Sequence, residues 1–179
     1  MGSDSLRFSQ AVGPEDVGPA LRDALIGCWA EVSNAGGAVG FPFPPVRAAD
    51  VAPALDAIVA ELDPETSRLV MALDGDELVG WLVLRRDRFA LISHWGMVHR
   101  VQSRPDRRGE GIGRALMGEA RRVARDEMGL EQLRLAARAG MGLETFYERL
   151  GWKEIDRWLG ALRLSPDDDR DEILMFLEL

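Results

Sequence analysis

The sequence predicts a single α/β domain, built on a mixed, mostly antiparallel sheet of about seven strands flanked by about four helices. Three observations lead there. Apolar residues recur at period two in some stretches and at helical spacing in others. Asp74-Gly75 and the polar run 165–170 mark hairpins in the middle and near the end. Helical stretches lie on both sides of one late strand, and such crossovers make a sheet mixed. The 179 residues, 46% of them hydrophobic, suffice for one core and are thin for two. With no repeat and no linker in view, one domain is expected over residues 1–179.

Residues 6–12 alternate weakly and read as a first strand. Pro14 suits a first helical turn. Val17, Ala20, Leu21, Ala24, Leu25, Cys28 and Val32 follow at helical spacing, so the helix should run to about residue 32. Residues 34–45 form a loop by their glycine and proline content. A second helix fits Asp50 as cap, then Val51, Leu55, Ile58, Val59 and Leu62, with Pro64 ending it. Residues 68–73 and 77–85 are the arms of a hairpin, and the charges of 85–88 mark another turn. A fourth strand is expected over 91–102. The clearest helix spans 111–128, with Ile112, Ala115, Leu116, Ala120, Val123 and Ala124 on one side. Then come a strand at 133–137, a short helix at 143–150 ended by Gly151, and two strands at 152–164 and 171–177.

Composition removes several function classes. Thirty acidic and 22 basic residues give a net charge of −8, against a general nucleic-acid or anionic-membrane binder. Cys28 stands alone, so neither an internal disulfide nor a paired-thiolate metal site is expected, and two histidines leave little for zinc. No apolar run nears the ~20 residues of a membrane span. The first residues lack the regions of a signal peptide, and Leu6 breaks the myristoylation pattern. A cytoplasmic setting is the simplest expectation. Every basic residue but Lys153 is arginine, which reads as codon bias.

The most informative stretch joins the fourth strand to the best helix: Arg104-Pro105-Asp106-Arg107-Arg108-Gly109-Glu110-Gly111-Ile112-Gly113-Arg114. Alternate glycines let backbone approach a ligand, and the first turn of a helix offers unpaired N–H groups and a favourable dipole to an anion. Arg104, Arg107, Arg108 and Arg114 crowd the same place. A tight turn with solvated arginines fits the spacing equally well. A Walker A loop lacks its Gly-Lys-Ser/Thr ending here, and Arg114 breaks a dinucleotide fingerprint.

Arg108-Gly109-Glu110-Gly111-Ile112-Gly113 resembles the Arg/Gln-x-x-Gly-x-Gly/Ala motif of the GCN5-related N-acetyltransferase (GNAT) superfamily, and the order of elements resembles that fold over nearly the whole chain. The resemblance implies a cofactor-binding core at about 94–152 and acetyl-coenzyme A as cofactor, with coenzyme A as product. The pyrophosphate would rest on Arg108, Gly109, Glu110, Gly111, Ile112, Gly113 and Arg114. The pantetheine arm would pair with the backbone of Val101, Gln102 and Ser103, where the fourth and fifth strands splay. Pantetheine carries amides and can act as a short extra strand.

Acetyl transfer to an amine needs a proton donor for the leaving thiolate and an acceptor for the amine proton. Thr145-Phe146-Tyr147-Glu148-Arg149-Leu150-Gly151-Trp152 resembles the family's Phe-Tyr-x-x-x-Gly-Phe segment, which implies that Tyr147, the only tyrosine, is the acid. The same residues also suit a core tyrosine. The family's asparagine seven residues earlier is Gly140 here. The glutamate that many members carry on the fourth strand falls on Met97. His99 shares the strand face of Met97 and has an ordinary pKa near 6.5, so it is the candidate base; a polar residue satisfied by backbone, or a water chain to a carboxylate, are the other readings. His94 has the opposite parity.

For the acceptor, Gly36-Gly37-Ala38-Val39-Gly40-Phe41 is similar to a Gly-Gly…Gly-Phe stretch of the tabtoxin-resistance type of GNAT enzyme. That type's two acceptor-site acids fall on Met97 and about Ala136, so its substrate is not implied. Phe41, Phe43, Trp95 and Met97 suggest an apolar or aromatic acceptor pocket; loop anchoring explains the two phenylalanines as well. The expectation is an acetyl-coenzyme A-dependent N-acyltransferase acting on a primary amine of a small molecule, by direct transfer in a ternary complex. Cys28, on the apolar side of its helix, is not expected to carry the acetyl group. An acyl-coenzyme A sensing module and a protein or peptide N-acetyltransferase are the alternatives. No nucleic acid, membrane or metal partner is expected, and monomer and homodimer are both open.

Overall fold

Strand pairing sets the architecture of the computed structural model, which describes residues 6–37, 39–41 and 44–179. One seven-stranded sheet runs in the order β1-β2-β3-β4-β5-β7-β6. Its strands are β1 (Leu6–Ala11), β2 (Ser67–Asp74), β3 (Glu77–Arg86), β4 (Trp95–Ser103), β5 (Gln132–Arg138), β6 (Lys153–Ser165) and β7 (Asp168–Glu178). Only β4 and β5 run parallel. The helices are α1 (Pro19–Asn34), α2 (Ala48–Ala60), α3 (Ile112–Arg122) and α4 (Leu143–Glu148).

The two faces of the sheet bury separate cores. Beneath α1 and α2 lie Leu25, Trp29, Leu55, Leu69, Trp81 and Val83. Beneath α3 and α4 lie Leu82, Leu84, Leu116, Leu133, Tyr147 and Met175. Alternate residues of β3 enter opposite cores, which is why that strand reads as an unbroken apolar run.

Several boundaries differ from the expected ones for local reasons. The Asp16 carboxylate accepts the N–H groups of Val12 and Gly13 at 2.8 and 3.0 Å. That pins Pro14–Asp16 into a separate 3-10 turn, and Pro19 rather than Pro14 opens α1. Arg47 caps α2; Asp50 sits inside its first turn and accepts the Arg47 N–H at 2.9 Å. Residues 87–94 form a turn, leaving Phe89 and Leu91 exposed, so β4 starts at Trp95. The expected long helix stops at Arg122, and Val123–Glu127 winds on as a wider π-turn with the Met128 N–H on the Val123 carbonyl at 3.0 Å. Little of 165–170 is loop, because β7 already begins at Asp168.

What matters for the site is how β4 meets β5. They pair only at Trp95↔Gln132, Gly96↔Leu133 and Met97↔Arg134, then part. On its other side β4 stays paired with β3 to Ser103, with a bulge. Arg100 occupies the bulge at φ +57°, the one non-glycine positive φ among the described residues. Gly96 holds the closed end of the wedge, because a Cβ there would sit 2.8 Å from Leu130 Cδ1 and 2.9 Å from the Arg85 carbonyl. Gly96→Val should therefore destabilise the fold by about 1–3 kcal/mol through forced overpacking. Urea unfolding checks this, and an unchanged midpoint would mean that the wedge tolerates a side chain at its apex.

Candidate active site

The junction between β4 and α3 opens on a cleft of about 1060 Å³. Val101, Gln102, Ser103, Arg108, Gly109, Glu110, Gly111, Ile112, Gly113 and Arg114 all line it, as do Phe146 and Tyr147 of α4. Gly109 and Gly111 hold φ of +87° and +81°, where a side chain strains the backbone. A Cβ on Gly111 would meet no protein atom and would point into open space. At Gly113 the reason is contact: a Cβ would press on the Phe146 ring at 3.4 Å. The first helical bond runs from the Ala115 N–H to the Gly111 carbonyl at 3.0 Å, so the N–H groups of Ile112, Gly113 and Arg114 remain for a ligand.

The four arginines of this stretch divide into two pairs. Arg104 is bound to Asp106 and Glu77, and Arg107 to Asp74 and Glu110. These carboxylates hold both guanidinium groups above their ordinary pKa and fasten the loop to the β2–β3 hairpin. Arg108 and Arg114 make no ion pair among the described residues and line the cleft.

A second cavity of about 390 Å³ fills the wedge between β4 and β5. Val98, Val101 and Gln102 form one wall, Leu135, Ala136 and Ala137 the other, and Val32, Gly37 and Val39 close the far side. Tyr147 lines both this cavity and the cleft beside α3. Its ring is 6% exposed and makes edge contacts with Phe146 at 5.1 Å and Trp152 at 6.0 Å. Burial holds the phenol well above its ordinary pKa, so it keeps its proton. Gly140, at the position of the family's asparagine, holds φ +84°, and a Cβ there would meet only the movable end of the Arg170 side chain.

His99 stands opposite Val83, on the sheet face covered by α1 and α2, and Met97 stands opposite Arg85 on the same face. Burial first, then the charges of Arg85 and Arg100, push the imidazole down to about 4 rather than near 6.5. It is neutral at physiological pH and a weak base. His94 lies in the turn before β4, so strand parity does not describe it. Cys28 is buried and its thiol is pushed up to about 12, chiefly by burial, which leaves no thiolate.

The acceptor candidates scatter. Trp95 lies under the Arg134 guanidinium, 4.6 Å from ring centroid to Cζ, and with Met97 it belongs to the closed end of the wedge. Phe41 packs on Trp29 at 5.1 Å and lines a third cavity of about 310 Å³ with Arg100, Arg138, Arg163 and Glu172. Phe43 lies outside the described residues. Among the described residues the aromatic candidates do not line one space together, and the cavity beside Phe41 is lined by Arg100, Arg138 and Arg163. The sequence did hold a sign of this: Arg134, Ala136 and Arg138 alternate along β5 and share its solvent-facing side.

The acetyltransferase (GNAT) family model matches residues 40–152, well over half of the chain. The chain belongs to the GNAT family. Solved structures with the same fold include a GCN5-related N-acetyltransferase from Kribbella flavida, with a TM-score of 0.77, 19% identity, and 99% of this chain and 100% of that one covered. A ribosomal-protein-alanine N-acetyltransferase from Brucella melitensis gives a TM-score of 0.73 at 17% identity, covering 97% and 99%. A GNAT-family acetyltransferase from Streptococcus pneumoniae gives 0.71 at 15%, covering 97% and 99%. Comparison with curated proteins gave no match. The protein is thus a GNAT acetyltransferase, a family that uses acetyl-coenzyme A. The cleft fits that cofactor, with open Cβ directions at Gly109 and Gly111, two unpaired arginines, and a backbone edge of β4 left unpaired by β5. No helix among the described residues is long and apolar enough to cross a membrane.

Gly111→Asp should weaken coenzyme A binding by at least ~2 kcal/mol, from lost charge-assisted hydrogen bonds and added repulsion. Calorimetry on folded variant decides it, with Gly118→Asp, at an open position on α3, as control. Unchanged affinity for Gly111→Asp would remove the loop from the cofactor site. His99 gives a separate expectation. Its folded pKa lies below its unfolded one, so protons bind the unfolded chain more readily between pH 6.5 and about 4. Stability is lost as pH falls through that window, and His99→Gln should lose less. Denaturation from about pH 7.5 to about pH 4.5 tests this, and a pH-independent gap between the two proteins would refute it.

Proposed function

We propose that this enzyme moves an acetyl group from acetyl-coenzyme A to a primary amine of a small molecule, by direct transfer in a ternary complex, in the cytoplasm. One observation carries the reading: Tyr147 lines both the cleft beside α3 and the cavity that passes through the wedge toward α1. Acetyl-coenzyme A, when bound, supplies the acetyl group as a thioester. Arg108, Gly109, Glu110, Gly111, Ile112, Gly113 and Arg114 anchor its phosphates through backbone N–H groups and two cations. Val101, Gln102 and Ser103 offer the free backbone edge of β4 to the amide-bearing arm.

Tyr147 Oη gives its proton to the departing thiolate. Burial keeps the phenol protonated across the working pH range and also makes it a weak acid, so the proton moves only as charge builds on the departing sulfur. His99 receives the proton of the amine. A base pushed down to about 4 cannot deprotonate a free alkylammonium, whose pKa is about 10.4. It accepts the proton only from a nitrogen already made acidic by bonding to the acyl carbon. The amine must therefore enter neutral, and a site that strips water favours that form.

Thiol release with acetyl-coenzyme A against a broad amine panel tests the activity. Release stimulated by an amine is the expected result; tight coenzyme A binding without any stimulation would show a sensing module instead. Tyr147→Phe should lower turnover by roughly 10²- to 10⁴-fold with little change in cofactor affinity. Turnover within a factor of about three of the parent would make Tyr147 a core residue only.

A further inference from the structure

The acid excess of the chain makes its unpaired arginines informative. With 30 acidic and 22 basic residues, most arginines find a carboxylate. Arg100 and Arg138 make no ion pair among the described residues, yet both face the 310 Å³ cavity on the side of the sheet away from α3. Arg100 is thrust there by its positive φ at the β4 bulge, with its guanidinium against the backbone of Gly40 and 5.5 Å from the Trp29 ring. Arg138 ends β5, donates to the Gly36 carbonyl at 2.7 Å, and lines an adjoining cavity of about 250 Å³ as well.

Arg100 and Arg138 have each lost hydration and each faces a neighbouring cation, Arg85 and Arg170 respectively, so an anion that joins them offsets that cost. Glu172, cross-strand from Arg138, is the one carboxylate among the described residues lining the cavity, and it makes no ion pair there. The cavity therefore presents both signs of charge. It meets the wedge at Ala136, which lines both spaces. A molecule seated on the arginines can thus extend its amine toward Tyr147. Arg163 and Arg170 add to the positive field, although each is paired, with Asp169 and Asp168.

We propose that the acceptor is a small amino acid, an amine that also carries a free carboxylate, and that Arg100 and Arg138 bind that carboxylate. This rests on the acetyltransferase reading above and narrows it. Arg138 already gives Nε and one Nη to Met141 Sδ and the Gly36 carbonyl, so its remaining N–H groups and the Arg100 guanidinium are the donors for a planar carboxylate, while Glu172 attracts the ammonium end on entry. The cavity volume suits a molecule of amino-acid size rather than a folded protein surface.

The test compares matched amines with and without the carboxylate: phenylalanine against phenethylamine, leucine against 3-methylbutylamine, and 4-aminobutyrate against propylamine. Thiol release should give at least one pair in which kcat/KM favours the carboxylate by about 10- to 100-fold, the usual worth of a hydrogen bond to a charged group. Arg138→Met and Arg100→Met should collapse that ratio through KM, while Arg121→Gln, an exposed change on α3, should leave it standing. Equal use of both members in every pair, or a ratio that survives both variants, overturns the proposal without touching the acetyltransferase reading. If no amine is turned over, that reading fails, and calorimetry still decides the carboxylate site. In that case coenzyme A-saturated protein should bind N-acetylphenylalanine more tightly than N-acetylphenethylamine, and the two arginine variants should lose the difference. No preference between these two ligands overturns the proposal in that setting too.

Discussion

Everything in this active site depends on two parallel strands that stop pairing. β4 and β5 share three registers, from Trp95 to Met97, and then diverge. Backbone groups that leave a ladder must find other partners, since a buried unpaired N–H or C=O is costly. The edge of β4 beyond Met97 is thus left without a strand partner on the β5 side, facing the cavity of the wedge. The apex is kept tight by Gly96, where Leu130 and the Arg85 carbonyl leave no space for a Cβ. The opening is kept wide by what fills it, with Leu135 and Ala137 on one wall, Val98 and Val101 on the other, and Tyr147 across the end. A sheet paired along its whole length would separate the α3 side from the α1 side. This one leaves the cleft beside α3 and the cavity toward α1 meeting at Tyr147.

Arginine serves two purposes in this molecule, and the structure separates them. Arg104 and Arg107 are locked by Asp74, Glu77, Asp106 and Glu110, so their charge is spent on shaping the loop before α3. Arg108 and Arg114, a few residues on, are left to a ligand. The same division holds on the opposite face, where Arg85 pairs with Glu61 while Arg100 and Arg138 do not pair. His99 registers the result: it sits among these cations, partly out of water, and cannot easily add another positive charge. Burial lowers the histidine's basicity most, and the charges of Arg85 and Arg100 lower it further.

The cofactor cleft was legible because its chemistry is local. Gly109, Gly111 and Gly113 lie within five consecutive residues at a strand–helix junction, and every candidate from Val101 to Arg114 proved to line one space. The cavity proposed for the acceptor is less legible because it is assembled from distant elements. Arg100 comes from a bulge, Arg138 from the end of β5, and Glu172 from β7, which lies beside β5 only through the strand order. Trp95 and Met97 lie at the closed end of the wedge, a position that depends on where β4 pairs with β5 and not on either strand alone. Helix ends slipped wherever a side chain overrode periodicity, as Asp16 does before α1 and Asp50 does within α2.

By itself the sequence determined the layered α/β architecture, the glycine-rich strand–helix junction and the family, since period, turn chemistry and a short glycine motif are properties of neighbouring residues. Tertiary structure decided which arginines are free, how basic His99 is and how far Tyr147 is buried. Each of these depends on burial and on charges brought close by strands far apart in the chain, and no local pattern encodes such distances.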